Sequence, residues 1–276
     1  MILTEQKKMK VRLLISSLLV FAIIIIAIFA VHITPHDPYK TDLTQALLSP
    51  CREFPFGTDH LGRCVFSRIL SGTPLSVFSA LAVVFTVATV GTVIGVISGY
   101  IGGAGDAIIM RITMIFQAFP YFLLAVAVAG MLGIGLINGM ISLIAVFWTT
   151  YARLGRSLIL GIKNENYIKA AKMCGAKSRH IIFKYMIPNI ASPILVTAAL
   201  DVSAIILSMA GLSFLGLGAQ RPTAEWGAMM SEARNYLQTA PWTVIAPGMA
   251  LFLVVICFNL LGDNLRGFLD RRVTGN

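Results

Sequence analysis

Apolar residues along this chain gather into six long runs, near residues 13–31, 75–99, 107–131, 136–158, 193–217 and 242–262. Each is long enough to cross a hydrocarbon core as a helix, which takes about 20 residues. The first run is too long for a secretory leader, and no A-x-A pattern follows Ala30, so it reads as a retained helix. The pattern divides the chain into a tail and first helix (1–31), an extramembrane segment (32–74), a five-helix core (75–262) and a second tail (263–276). Within the core, residues 159–192 form one long polar interruption between the fourth and fifth runs.

That interruption has its own periodicity. In "KAAKMCGAKSRHIIFKYMIPN", residues 169–189, and its flank, Tyr167, Ala170, Ala171 and Cys174 fall at i, i+3, i+4 and i+7, on one face of a helix. Gly175 then breaks the pattern, as a turn residue able to take a positive φ does. A second amphipathic piece places Ile181, Ile182, Tyr185 and Met186 on one side and ends at Pro188. The pattern predicts two short helices at an angle, with small side chains at the bend. Lys163, Lys169, Lys172, Lys177, Arg179 and Lys184 crowd the same segment. Cations of this kind suit anionic lipid headgroups. The small residues suit a different use, since they let the backbone of another protein come close.

Composition settles the solvent. With 57% hydrophobic residues, 12% charged residues and a mean hydropathy of +0.82, this is a polytopic membrane protein and not a water-soluble one. Its 22 Lys and Arg are unequally shared between the two sides. With the N-terminus inside, 16 lie inside, among them Lys7, Lys8, Lys10, Arg12, Arg153, Arg156, Arg271 and Arg272, and 6 lie outside. Cationic loops resist translocation, so both termini are expected in the cytoplasm. The net charge of +10 is then an orientation signal, and no nucleic-acid partner is expected.

Candidate chemistry is sparse. "GAKS" at 175–178 lacks the second glycine of a phosphate-binding loop, and no strand precedes it. His32, His36, His60 and His180 all fall in loops, and no catalytic constellation or transmembrane metal-ligand cluster emerges. Asp201 is the main acid within a crossing, where a carboxylate is a functional candidate or is held by a neighbouring helix or water. Gly91, Gly95, Gly99 and Gly103 recur every four residues, a stripe suited to close helix packing. Cys51 and Cys64 share an outward segment that can be oxidising. A disulfide between them is expected, worth about 3 kcal/mol for a loop of this size, with two unpaired thiols as the alternative.

Three stretches together resemble a known family. The spacing Ala170-Ala171, three residues, Gly175, nine residues, Tyr185-Met186-Ile187-Pro188 is similar to the EAA loop of ABC importer permeases, with Lys169 where the family commonly has Glu. "GTDHLGRCVFSRILSG" (57–72), and "GLSFLGLG" (211–218) with "PTAEWG" (222–227), resemble signatures of one of the two permeases in the peptide/nickel branch.

The resemblance implies an all-α membrane protein with six transmembrane helices and a coupling helix between the fourth and fifth. It implies four kinds of contact: a second permease subunit in a heterodimer, two cytoplasmic ATPase subunits that bind ATP and Mg, an extracytoplasmic solute-binding protein, and the lipid membrane. No cofactor is expected in this chain. Lys169, Ala170, Ala171, Gly175 and Pro188 would meet the ATPase, and Asp59, Glu225 and Trp226 the binding protein. Asp201, Met209, Gly211, Ser213, Gly216 and Gly218 would line or gate the pathway. The run "LDVSAIILSMAG" (200–211), with Met209 and Ala210 where peptide permeases often carry an acid, looks closer to nickel permeases. Nickel or a nickel chelate is the first expectation, and a di- or oligopeptide the second. A secondary transporter would need coupling-ion residues at the midplane and often an inverted repeat, of which the sequence offers one Asp and no evident repeat.

Overall fold

The computed structural model describes residues 2–274, with side chains from residue 8 to residue 269. Lys7, Arg271 and Arg272, which entered the charge count, therefore lie outside the described side chains. Ten α-helices are present among the described residues: α1 (Ile2–Ile33), α2 (Val65–Ile101), α3 (Gly103–Gln117), α4 (Tyr121–Leu132), α5 (Leu136–Ile162), α6 (Asn166–Met173), α7 (Ser178–Ile181), α8 (Ile187–Phe214), α9 (Trp226–Ala233) and α10 (Trp242–Thr274). A π-helical turn, Ile182–Met186, joins α7 to α8.

The chain runs between two ends of a bundle. The capped end carries the segment 34–64 and the stretch 215–241; the basic end carries residues 163–186. α1, α2, α5, α8 and α10 each run the full distance. The expected crossing at 107–131 differs: α3 and α4 meet at 90° across Ala118–Pro120, as in a broken span or a re-entrant loop. Pro120 has no amide proton to continue the α3 ladder and biases Phe119 away from helix, so the chain turns there. Four segments are individually long and apolar enough to span a membrane, and the count rises to five if the bent pair is one span. α5 has the length, 27 residues, but its half nearer the basic end holds Thr149, Thr150, Tyr151, Arg153 and Arg156. Thr149, Thr150 and Arg153 face the α3–α4 turn, while Tyr151 and Arg156 pair with Asp201 and Asp106.

The bundle is held by close backbone approach. α2 and α5 form its most extensive pairing. A Cβ at Gly91 would meet the Trp148 carbonyl and Tyr151, one at Gly95 the Ala152 carbonyl, and one at Gly99 the Arg156 carbonyl and Ile159. Gly155 returns the contact against Thr92 and Gly95. Three of the four stripe glycines thus serve packing, while Gly103 begins α3 with open space around it. The main core collects Val77, Val83, Val87, Leu143, Ile205 and Leu212. α1 packs on α10 and α2 and turns Leu14, Leu18, Phe21 and Ile28 outward, an apolar face suited to lipid.

Candidate functional site

At the basic end, α6 forms a small knob. It ends in a Schellman motif, in which the Ala176 amide donates to the Ala171 carbonyl and the Gly175 amide to the Lys172 carbonyl, both at 3.0 Å. Gly175 takes φ +78°, the left-handed conformation this cap requires. Ile168 anchors the knob: fully buried, it packs with Val96, Ile159, Ile181, Met186 and Ile190 in a second apolar cluster. Lys169, Ala170, Gly175 and Pro188 are exposed, and Ala171 is half-buried against that cluster. The predicted two-helix bend is therefore present with its small residues outward. The sequence reading missed Ile168, which opposes the Ala170 face and does the anchoring. The Lys172 ammonium sits 5.8 Å from the centre of the Tyr100 ring, tying α6 to the end of α2.

At the capped end, the expected docking residues are interior. Trp226 is 1% exposed, its indole Nε1 donating to the Ile69 carbonyl at 3.1 Å. Glu225 caps α9, its carboxylate accepting from the amides of Gly227 (3.0 Å) and Ala228 (2.9 Å). Asp59 is also buried, accepting from the Leu61 and Arg63 amides and from Arg63 Nε at 2.6 Å. None of the three is presented to a docking protein: Asp59 and Glu225 accept from buried donors of their own chain, and Trp226 donates to a buried carbonyl. The "GTDHLGR" signature thus folds a turn, with Gly57 and Gly62 at positive φ and Asp59 at its centre.

Arg63 and Arg68 face Asp59 and Glu232 in this interior. Arg63 Nη2 reaches Glu232 at 2.7 Å, while Arg68 lies 3.6 Å from Asp59 and 3.7 Å from Glu232. Asp59, His60 and Glu232 bring ligand atoms within 4.8 Å of one another. The guanidinium groups already occupy the space and charge that a cation would take there. Burial holds the His60 imidazole below its usual pKa, against the opposing pull of Asp59 and Glu232. Cys51 and Cys64 are free thiols, so the expected disulfide is absent. Cys64 is buried at the start of α2, whereas exposed Cys51 uses its sulfur to accept from the Phe54 amide.

The pathway candidates separate in the same manner. Met209 and Ser213 are enclosed within the chain at 3% and 2% exposure and do not line a path. Ser213 Oγ accepts from the Ala219 amide, and Gly216 (φ +84°) and Gly218 form the turn that ends α8. Gly211 permits the close approach of Phe122 from α4. Asp201, half-buried midway along α8, accepts from the Tyr151 hydroxyl of α5 at 2.7 Å. This is the structural hydrogen bond that the sequence left open as one alternative. Near it, Arg156 forks onto Asp106 at 2.5 and 2.6 Å, and Ser98 donates to the same carboxylate at 2.5 Å, fixing the start of α3 to α2 and α5.

Residues 91–275 match the family described as the inner membrane component of binding-protein-dependent transport systems. The chain belongs to this family. It is 41% identical over 255 residues to the nickel transport system permease protein NikC of Escherichia coli K12, covering 90% of this chain and 92% of that one. It is 40% identical over 260 residues to the probable D,D-dipeptide transport system permease protein DdpC of the same strain, covering 94% and 87%. It is also 40% identical over 269 residues to the dipeptide transport system permease protein DppC of Alkalihalophilus pseudofirmus, covering 98% and 88%. Among solved structures, a chain of the inward-facing MetNI methionine ABC transporter shares the fold, with TM-score 0.53 and 20% identity over 70% of this chain and 94% of that one. The chain is thus an ABC importer permease of the peptide/nickel branch, a membrane component that is not itself catalytic. Relatives for nickel and for dipeptides are equally similar, so likeness does not choose the cargo.

Proposed function

We propose that this permease supplies half of a translocation pathway, pairs with a second permease subunit, and couples through the α6 knob to two cytoplasmic ATPase subunits. The basic end is cytoplasmic, together with both termini, and the capped end meets an extracytoplasmic solute-binding protein. The observation that carries the reading is the knob itself. A Schellman-capped helix is anchored by buried Ile168 and offers Ala170 and Gly175 outward, a surface that a groove in another protein can enclose. Met173, 89% exposed on the same helix, and Tyr167, 40% exposed, add apolar area that a protein groove can cover together with the small residues.

Nickel as a free ion has little support at the one described group of suitable ligands, since Arg63 and Arg68 already neutralise Asp59 and Glu232. A nickel chelate or a peptide fits better. The decisive experiment is reconstitution of both permease subunits, the ATPase subunits and the binding protein in liposomes. ATP-driven uptake that requires the binding protein is expected; ATP-independent uptake by this chain alone would return it to the secondary transporters.

A further inference from the structure

The 90° turn between α3 and α4 opens a cavity of about 350 Å³ against α5. One wall is aromatic, with Phe116, Phe119, Tyr121 and Phe147, the last two in edge-to-face contact at 5.0 Å. The remainder is polar and incompletely satisfied. Gln117 donates through Nε2 to Thr149 Oγ1 at 3.3 Å, but its Oε1 is buried without a hydrogen-bond partner. Arg153, at the other side, is exposed. Arg156 is locked on Asp106, yet no hydrogen bond or ion pair engages Arg153 among the described residues.

The position makes this unusual. Arg153 lies nine residues before the end of α5, about 14 Å along its axis, and Gln117 lies about 21 Å along α3 from Gly103. With α5 and the bent α3–α4 pair taken as crossings of a hydrocarbon core about 30 Å thick, both groups lie at membrane depth. An unpaired guanidinium facing lipid at that depth is strongly unfavourable, which assigns this face to a water-filled path.

We infer that the elbow cavity is a transit site for the C-terminal end of a peptide cargo. The planar fork of Arg153 suits a carboxylate, and a carboxylate brings the counter-charge this cation lacks. The free Gln117 carbonyl accepts from an N–H donor, which the last peptide unit carries beside its carboxylate. The aromatic wall receives an apolar side chain, and the cavity lies in the size range of small-molecule sites. A bare divalent cation is repelled by Arg153. This inference rests on the importer reading above and names its cargo.

The test uses the assembled permease–ATPase complex in detergent without binding protein, titrated with Ala-Phe as free acid, with its C-terminal amide, and with nickel chloride. Saturation-transfer NMR reports the peptides, and calorimetry the metal. The free acid is expected to bind, about tenfold more weakly after Arg153→Gln, with partial recovery in Arg153→Lys. Gln117→Leu, at the opposite side, should also weaken the free acid. The amide should bind weakly to wild type and to Arg153→Gln alike. Equal binding of acid and amide, no loss in Arg153→Gln, or binding of nickel chloride alone would overturn the assignment. Loss of the second permease subunit from Arg153→Gln would also overturn it, by marking Arg153 as an intersubunit ion pair. Failure of binding-protein-dependent uptake beside intact peptide binding would sink the importer reading and leave the cavity assignment standing.

Discussion

Arg63 and Glu232, 169 positions apart in sequence, meet at 2.7 Å in the interior of the capped end, with side chains 2% and 7% exposed. Through this pair the turn that precedes α2 is fastened to α9, and the same guanidinium holds Asp59 at 2.6 Å. Removing one member of a buried ion pair leaves the other charge uncompensated, at a cost of about 3–5 kcal/mol. Arg63→Ala or Glu232→Ala should therefore lower the thermal midpoint of the purified protein markedly. Arg63→Met combined with Glu232→Leu should lie closer to wild type than either alanine variant. A double variant no better than the singles would show that the contact is not the source of the loss.

His60 stacks on Tyr236 at 5.2 Å and faces Asp59, Glu232, Arg63 and Arg221. Burial lowers its pKa from the usual value near 6.5. The native state therefore prefers the neutral ring, and the unfolded chain binds the proton more readily. Stability from this group is complete above about pH 6.5 and is lost as pH falls through the depressed value. Melting curves between pH 7.5 and 5 should fall in wild type, with a shallower slope in His60→Gln. An identical slope would assign the acid sensitivity to other groups.

Trp226 illustrates what the sequence disclosed and what it concealed. The apolar runs made the long helices legible, and Ala170, Ala171 and Gly175 made the knob legible, because helix length and a capping glycine are local properties. Trp226 and Glu225 looked like a surface motif, yet their partners, Ile69 and Ser76, lie about 150 positions away. Nothing local announces such a pairing. The α3–α4 turn had a local signal in Pro120, overridden in the reading by the unbroken apolar composition around it. Arg153 lies within the run 136–158 and was counted only as an inside cation, because its place beside the α3–α4 turn is set by packing and not by local sequence.

Since Trp226 is interior, its truncation should act on folding. Trp226→Ala removes a large buried side chain and leaves a cavity, at about 3–5 kcal/mol, while the Ile69 carbonyl keeps the Thr73 hydroxyl as a donor. Reduced yield and a lower melting point are expected, with any transport that remains still stimulated by binding protein. A fully stable variant that has lost only this stimulation would restore the docking role to Trp226.

The glycine stripe offers a paired comparison along one stretch of chain. A methyl group at Gly95 must displace the Ala152 carbonyl and the Arg156 amide, both backbone groups that have little room to move. Gly95→Ala should destabilise by about 1–3 kcal/mol or more through overpacking. Gly105→Ala, in open space on α3, should be neutral or slightly stabilising, since alanine favours helix by up to about 1 kcal/mol over glycine. Similar melting points for the two variants would contradict the α2–α5 packing described here.

The knob provides the most direct test of coupling. Ala171 is half-buried against the Ile168 cluster, so Ala171→Asp disturbs the knob as well as its docking face. Ala170 is exposed, and Ala170→Asp leaves the internal packing intact while placing a charge where a partner must close. Burying that charge without a counter-ion is strongly unfavourable, so uptake and ATPase co-purification should both be lost while the membrane helices still insert. Gly175 separates shape from space, because nothing surrounds it and only its φ of +78° resists a side chain. Gly175→Asn should retain activity and Gly175→Val should not, the β-branched residue being poorly suited to that conformation. Lys169→Glu reports on the partner: tolerance means that the groove offers a cation, and loss of coupling means that it has become acidic to match the lysine. Normal uptake and normal co-purification in Ala170→Asp would remove the knob from the interface and return this segment to the membrane surface.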